Sequence, residues 1–363
     1  SQDSISDEFD NTSITLEGSI GDLEIVYAGA YTDRETNQVV DYTDYLFVGQ
    51  YLPYYVCDET VTYPGDDGPT GTCYAPNLLV DSKTDTQVES HEIRINAPIN
   101  DKMSITAGAF ISDTELAELN FFTYEGSQFN KAKNGNVGWA PNYPHTNAQV
   151  TGGNSGPGYY SVPGPYSPPV IFWNDILRTD EQKGVFGEVS YTLSDTAELT
   201  LGARWYDIAV DLEGSANASF YNFYGTENAC CGANLSTQYA PGNPNGYPDK
   251  AETDGVIGKA TVSWNPSEDV MYYVTWSEGF RPGLLNRPVG RGSDAYRVPA
   301  EVESDEITNY EFGWKTILKD GQLRFNGSAF YVDVTGLQST IFDPSIYNLF
   351  FSDNAADGTI KGV

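Results

Sequence analysis

The sequence predicts an all-β fold, an antiparallel transmembrane β-barrel segment of about ten strands, and three observations predict it. Apolar residues recur with a period of two. Ionisable residues keep to one parity within each such segment. The connections come in two alternating kinds, tight turns and very long polar loops.

The expected strands, in order, are about 11–19, 23–33, 88–98, 103–114, 181–193, 197–211, 253–265, 270–280, 304–317 and 322–335. In the second, Leu23, Ile25 and Tyr27 oppose Glu24, and in the third Ile93 and Ile95 oppose Glu92, Arg94 and Asn96. In the sixth, Leu199, Leu201, Ala203 and Trp205 face away from Glu198, Thr200, Arg204 and Tyr206. The seventh sets Val256, Ala260, Val262 and Trp264 against Lys259, Thr261 and Ser263. The ninth sets Tyr310, Phe312 and Trp314 against Asn309, Glu311 and Lys315. The last sets Leu323, Phe325, Gly327, Ala329 and Tyr331 against Gln322, Arg324, Asn326 and Ser328. A strand shows this pattern when only one face meets an apolar medium. No helical period of comparable length competes with it.

The tight turns are Gly21-Asp22, Asn100-Asp101-Lys102, Ser194-Asp195-Thr196, Pro266-Ser267-Glu268-Asp269 and Lys319-Asp320-Gly321. Between them run long Pro-, Gly- and Tyr-rich stretches at about 34–87, 115–180, 212–252, 281–303 and 336–363. Such alternation has a physical cause in a barrel that spans a membrane, with short periplasmic turns and long extracellular loops. Aromatic residues near strand ends, Trp264, Tyr272, Trp276, Trp314 and Tyr331, suit interfacial girdles. A soluble sandwich or propeller also alternates, but its strands are shorter and its connections are not segregated by length.

Charge narrows the function. The 363 residues carry 51 acidic and 19 basic side chains, a formal charge of −32. Nucleic acid is excluded as a partner, because phosphate contacts need a basic surface. No run of apolar residues is long enough for a transmembrane helix, which leaves spanning strands untouched. There is no Gly-x-Ser-x-Gly elbow, no His-Glu-x-x-His and no phosphate-cradling glycine loop, so no enzyme is expected. Cys57 and Cys73 flank the turn-rich stretch Pro64–Pro69, and Cys230 and Cys231 are adjacent. Four cysteines allow three connectivities. A Cys57–Cys73 bridge is the favoured one, with Cys230 and Cys231 bridged or reduced, in an oxidising compartment. Zinc is not expected, since neither histidine lies near a cysteine pair at ligand spacing. Asp66-Asp67, and Asp353-Asn354 with Asp357-Gly358, offer clustered oxygens for Ca²⁺, against which stands the reading as solvated acidic turns.

Four stretches resemble a known family. Glu181-Gln182-Lys183-Gly184-Val185-Phe186-Gly187-Glu188-Val189-Ser190-Tyr191, followed by Leu199-Thr200-Leu201-Gly202-Ala203-Arg204-Trp205, is similar to the mid-barrel hairpin of TonB-dependent outer-membrane receptors. Ser277-Glu278-Gly279-Phe280-Arg281-Pro282-Gly283 resembles the family's strand end of that form. Asp305 to Lys315, with Asn309, Tyr310, Glu311, Gly313 and Lys315 in family positions, resembles the next strand, Asp305 standing where a glutamate is usual. Gly327-Ser328-Ala329-Phe330-Tyr331-Val332-Asp333-Val334 resembles the one after. Together they cover about 181–335 in the family's order and spacing.

The resemblance implies a 22-stranded barrel in the outer membrane of a Gram-negative bacterium, of which this chain is an internal segment. No plug domain resembles anything in it. It implies partners too: the TonB complex acting through a plug, outer-membrane lipid and lipopolysaccharide, and a small-molecule ligand. The implied function is energised import, first of a ferric siderophore or similar iron complex, otherwise of a glycan or cobalamin. The rival class is a non-transporting cell-surface β-protein, an adhesin or assembly subunit. Candidate ligand contacts in the 115–180 loop are Trp139, Tyr143, His145, Tyr159, Tyr160, Tyr166 and Trp173, flat rings among Asn, Gly and Pro that suit sugars or catecholates. The same rings also suit a small core of the loop's own. Arg281 suits an anionic ligand or the plug, and its preferred role is to pair with a carboxylate on the barrel's inner side.

Overall fold

The structure is a computed structural model that describes residues 3–44, 55–57, 61–62, 72–74, 77–124, 169–218, 233–244, 246–286, 296–343 and 347–363. Its main sheet is built from β1 (Ser4–Ile20), β2 (Leu23–Asp41), β6 (Leu78–Asn100), β7 (Met103–Tyr124), β8 (Val170–Ser194) and β9 (Ala197–Ala218). It continues through β11 (Ala251–Ser267), β12 (Val270–Arg281), β15 (Asp305–Leu318), β16 (Leu323–Asp343) and β17 (Tyr347–Gly362), in that spatial order. Every neighbouring pair is antiparallel, and β10 (Ala233–Asn234) adds to β9 off this path. A small sheet joins β3 (Tyr55–Cys57) to β4 (Val61–Thr62) and β5 (Cys73–Tyr74), and a second joins β13 (Leu284–Leu285) to β14 (Glu301–Val302). One short helix, α1 (Leu235–Gln238), follows β10.

Register aligns the faces across the sheet. Ile105, Val189, Leu201, Ala260, Trp276, Tyr310 and Tyr331 form one continuous apolar row across seven strands. The adjacent row on the other face reads Ser104, Ser190, Thr200, Thr261, Thr275 and Glu311. The apolar row lies on the outward, lipid-side face, and its members include Leu201, Tyr310 and Val189, all exposed in this chain. Trp264 stacks on Tyr272 at 5.8 Å, Tyr272 lies 6.3 Å from Phe312, and Trp314 contacts Phe325 at 5.8 Å, so three of the predicted girdle residues meet aromatic rings on neighbouring strands. Single-residue displacement of any strand would send the polar row into lipid, which is why the pattern fixes the register.

Four expectations need correction. Among the described residues the long strands number eleven against about ten expected, because β17 occupies much of the stretch read as an outer loop at 336–363. Strands reach up to 25 residues, as in β8, where the expected strand covered only 181–193. The long connections shrink accordingly: β6 begins at Leu78 rather than 88, β7 runs on to Tyr124, and β9 to Ala218. β1 begins at Ser4 rather than near 11. The physical reason lies in β9. From Leu199 to Trp205 the odd positions are apolar and exposed outward, but from Tyr206 onward the even ones, Tyr206, Ile208, Val210 and Leu212, are apolar and buried. The sequence reading carries this strand through the switch to 211 and ends it there, although the backbone keeps pairing with β8 as far as Ala218.

The buried residues gather at this outer end. Ile176, Tyr206, Ile208, Val210, Leu212, Leu235, Tyr239, Ala251 and Leu285 form one cluster, with Phe280 and Tyr247 packed against it. Thus α1 and the connection after it fold back onto the inner face of β8, β9 and β11 as a roof.

Candidate functional site

The inner wall carries a ladder of polar pairs between strands. Thr106 donates to Asn96 at 2.8 Å, Ser190 and Thr200 bond at 3.1 Å, and Thr261 and Thr275 at 3.0 Å. Lys259 reaches Glu188 at 3.1 Å, Arg204 donates to Gln182 at 3.0 Å, and the Tyr273 hydroxyl donates to Glu311 at 2.5 Å. Gly313 makes room for that tyrosine: a Cβ there would lie 2.2 Å from the Tyr273 ring. Cross-strand hydroxyl and charge pairs stabilise sheets modestly and hold each side chain at a fixed height. The result is a wall of defined, mostly satisfied polar groups.

At the outer rim the segment Gly279 to Gly283 meets β15 and β16. Arg281 forms an ion pair with Asp305; its Nε donates to Asp305 Oδ2 at 2.7 Å and its backbone N–H to Oδ1 at 3.1 Å. Asp305 is 0 % exposed. Its Oδ2 also accepts from the backbone of Gln338 at 3.3 Å, and Arg281 Nη2 donates to the Gln338 carbonyl at 3.1 Å. The Gln338 amide then donates to the carbonyls of Pro282 and Glu303. Hydrogen bonds to both oxygens of one carboxylate, one of them from a guanidinium, tie β12, β15 and β16 together at the rim. Phe280 stacks on Tyr206 at 3.8 Å, and the Gly283 N–H donates to Thr253, where a Cβ would meet the Val302 carbonyl at 2.8 Å. Of the remaining family-motif positions, Gly279 has open space around it, Asn309 and Lys315 lie on the polar parity with Glu311, and Tyr310 faces outward beside Tyr331 at 6.4 Å.

The roof is tied down by side chains bonded to backbone. Asn286 donates to the carbonyls of Pro299 and Ser352 and accepts from the Ser352 N–H at 2.8 Å. Asn354 does the same between Glu303 and Gly336. The Tyr239 hydroxyl donates to Asn286 O at 2.5 Å, and Tyr296 donates to Asp353. Burial holds the Tyr239 phenol far above its ordinary range, and burial together with the Asp353 bond does so for Tyr296. Beside the roof, Glu252, Asp254, Glu301, Glu303 and Glu306 line an acid-rich cleft of about 570 Å³. Burial raises the Glu301 carboxyl, with Glu303 and Glu252 adding to it by repulsion.

Of the sequence candidates, Trp139, Tyr143, His145, Tyr159, Tyr160 and Tyr166 lie outside the described residues. Trp173 lies in strand β8, its backbone between Phe121 of β7 and Asn217 of β9, rather than in a loop. Arg281 is committed to Asp305 and Gln338, as described. Cys57 sits directly opposite Cys73 in the β3–β5 pairing, while Cys230 and Cys231 lie outside the described residues. Asp66 and Asp67 are likewise outside them; Asp353, Asn354 and Asp357 lie in β17, where each side chain accepts a backbone N–H. Sequence reasoning missed Gln338, Asn286 and Tyr239, and it offered Asn354 as a cation ligand rather than a tie between backbones. Gln338 bonds to Glu303 across 35 residues, Tyr239 to Asn286 across 47 and Asn286 to Ser352 across 66, and no local pattern marks them.

The family model described as TonB dependent receptor-like, beta-barrel matches residues 15–363. No curated protein sequence matches. Among solved structures, the ferric yersiniabactin uptake receptor FyuA from Yersinia pestis aligns with TM-score 0.58 at 11 % identity, over 97 % of this chain and 38 % of that one. The siderophore receptor PiuA from Acinetobacter baumannii aligns with TM-score 0.53 at 15 % identity, over 99 % and 44 %. The pyoverdine outer membrane receptor FpvA from Pseudomonas aeruginosa PAO1 aligns with TM-score 0.51 at 13 % identity, over 99 % and 41 %. This chain therefore spans about two fifths of the length of these structures.

Proposed function

Because this chain belongs to the TonB-dependent receptor β-barrel family, we propose that it forms part of the wall of a receptor that imports a ferric siderophore or a similar iron complex. Family and fold are those of transporters and receptors rather than enzymes, and the family's barrels reside in the outer membrane of Gram-negative bacteria. The observation that carries the reading is the two-faced sheet: an apolar band outward, a polar ladder inward, and a roof folded over the inner face at one end only. A wall of that kind lines a polar passage whose outer mouth is shaped by side chains. No bond is made or broken in such a process; ligand is recognised at the mouth and released through the passage. Energy comes from the TonB complex acting through a plug domain.

The iron cargo draws its support from the printed descriptions of the similar structures, and at 11–15 % identity these share the fold alone. A glycan or cobalamin is the second reading, favoured by the acid-rich cleft and the charge of −32, since both repel bare anionic chelates. Expression decides between them. Induction by iron starvation alone supports the iron complex; induction only by a polysaccharide, with iron irrelevant, overturns it. Outer-membrane lipid and lipopolysaccharide are the proposed neighbours of the apolar band and of the acidic surface above it. A Cys57–Cys73 bridge also belongs to this proposal. Opposed residues of an antiparallel pair have Cα atoms about 4.5–5.5 Å apart, within disulfide reach. Resistance of both thiols to alkylation until reduction is the expected result, and ready labelling of the native protein refutes the bridge.

A further inference from the structure

Arg204 stands on the inner face of β9, opposite Phe186 of β8 and just below the point where the apolar parity of its strand switches. Its side chain runs over Gly184, where a Cβ would lie 3.1 Å from Nε and 3.4 Å from Nη2. Nη2 donates to Gln182 at 3.0 Å, and the guanidinium carbon sits 5.6 Å from the centre of the Phe110 ring. A glycine floor, an aromatic ring and one amide therefore hold the guanidinium in a single place. Nε is buried and has no hydrogen-bond partner among the described residues.

No carboxylate answers that charge. On the same face Arg34, Arg94, Arg178, Lys259 and Arg281 each pair with an acid. Among 51 acidic side chains Arg204 finds none, and the bond to Gln182 is its one hydrogen bond among the described residues. With Lys259, Glu188 and Ser277 it lines a depression of about 260 Å³ in the inner wall. There Glu188 is taken by Lys259 at 3.1 Å, and Glu278, on the outward parity, accepts the Gly258 N–H at 2.8 Å. Ionisable groups at membrane depth face the interior, pair with a partner and mark the path of what passes. Water would solvate the N–H groups but leave the charge uncompensated.

We propose that Arg204 is an oxyanion-binding residue of the passage. Its planar fork matches the paired oxygens of a carboxylate or phosphate, which a point charge such as lysine does not. The oxyanion comes either from an acidic side chain of a domain packed inside the barrel or from the imported complex, and both bring the same chemistry to the same nitrogens. Arg281 on the neighbouring wall is closed to such a ligand by Asp305; Arg204 is open to it. The inference rests on reading this face as the wall of a passage. Both assays below detect an anion at Arg204 rather than transport, so the two readings can fail separately.

The test uses the purified full-length receptor in detergent. Phenylglyoxal labelling of Arg204 is followed by peptide mass spectrometry in citrate and in chloride at equal ionic strength, with Arg94, already paired to Glu92, as the internal control. If the imported complex supplies the oxyanion, citrate is expected to slow labelling of Arg204 at least tenfold and that of Arg94 less than twofold. If an internal domain supplies it, Arg204 is expected to label slowly in both salts, and Arg204→Lys treated with carbodiimide to cross-link through its new amine to an acidic residue of that domain. Two results overturn the proposal. One is labelling at the same rate in citrate and chloride with no cross-link in Arg204→Lys. The other is a cross-link to Glu188 or Glu278, which would show the wall itself answering the charge.

Discussion

The lower and upper halves of β9 obey opposite rules on one unbroken strand. Between Leu199 and Trp205 the outward side chains are apolar and the inner ones are Thr200, Gly202 and Arg204. Between Tyr206 and Leu212 the inner side chains are apolar and buried, while the outward ones are Asp207, Ala209 and Asp211. Backbone pairing to β8 and β11 continues through the switch without a shift of register. What changes is the medium. Lipid rewards an apolar outward face, and water rewards a charged one, leaving the inner face to build a conventional core against the roof. The switch between Trp205 and Asp207 therefore marks the outer boundary of the hydrocarbon on this strand.

The largest effect is expected at the rim. Asp305→Ala strips the acceptor from Arg281 and from the backbone of Gln338, and is expected to cost about 2–3 kcal/mol. Its signature is faster proteolysis between residues 296 and 304 with the apolar band still assembled. At the switch itself, a matched pair breaks or sharpens the comparison. Ala203 and Ala209 share a strand and a face, one on each side of the switch. Ala203→Arg, a few residues inside that boundary, is expected to cost about 1–2 kcal/mol, between the interfacial and midplane penalties for a cation on a barrel's lipid face. Ala209→Arg is expected to stay within about 0.5 kcal/mol. The readout is the denaturant midpoint of the folded, heat-modifiable form; equal penalties would place the boundary elsewhere.

Within the band, Gly313→Ala drives a Cβ to 2.2 Å from the Tyr273 ring and displaces it from Glu311. Overpacking of this kind costs about 1–3 kcal/mol. Gly279→Ala, with nothing within 4 Å, serves as the control and is expected to be near neutral. The smallest effect is on pH. The folded-state pKa values of Tyr239 and Tyr296 are raised, so the stability they lend is complete below an ordinary phenol pKa of about 10 and is lost as pH rises past it toward the folded values. Stability is thus expected to be flat near neutrality and the roof to loosen only in strong alkali. Tyrosinate absorbance should show these two phenols titrating last, and Tyr239→Phe should remove one of the late steps while costing about 1 kcal/mol at neutral pH.

By itself the sequence determined the all-β class, the outward parity of each membrane segment and the family motifs from Gly279 to Lys315. Each of these is written at a spacing of two residues, and a strand reads that spacing directly. Only the tertiary structure decided where the strands stop, that an eleventh strand follows Asp343, and that a roof packs on the inner face. It alone assigned partners to Arg281, by way of Asp305 and Gln338, and tied Asn120 of β7 and Asn174 of β8 to Glu118. The reason is distance along the chain. A parity rule records the medium beside a residue, but it cannot record which residue 24 or 57 positions away supplies the other half of a hydrogen bond.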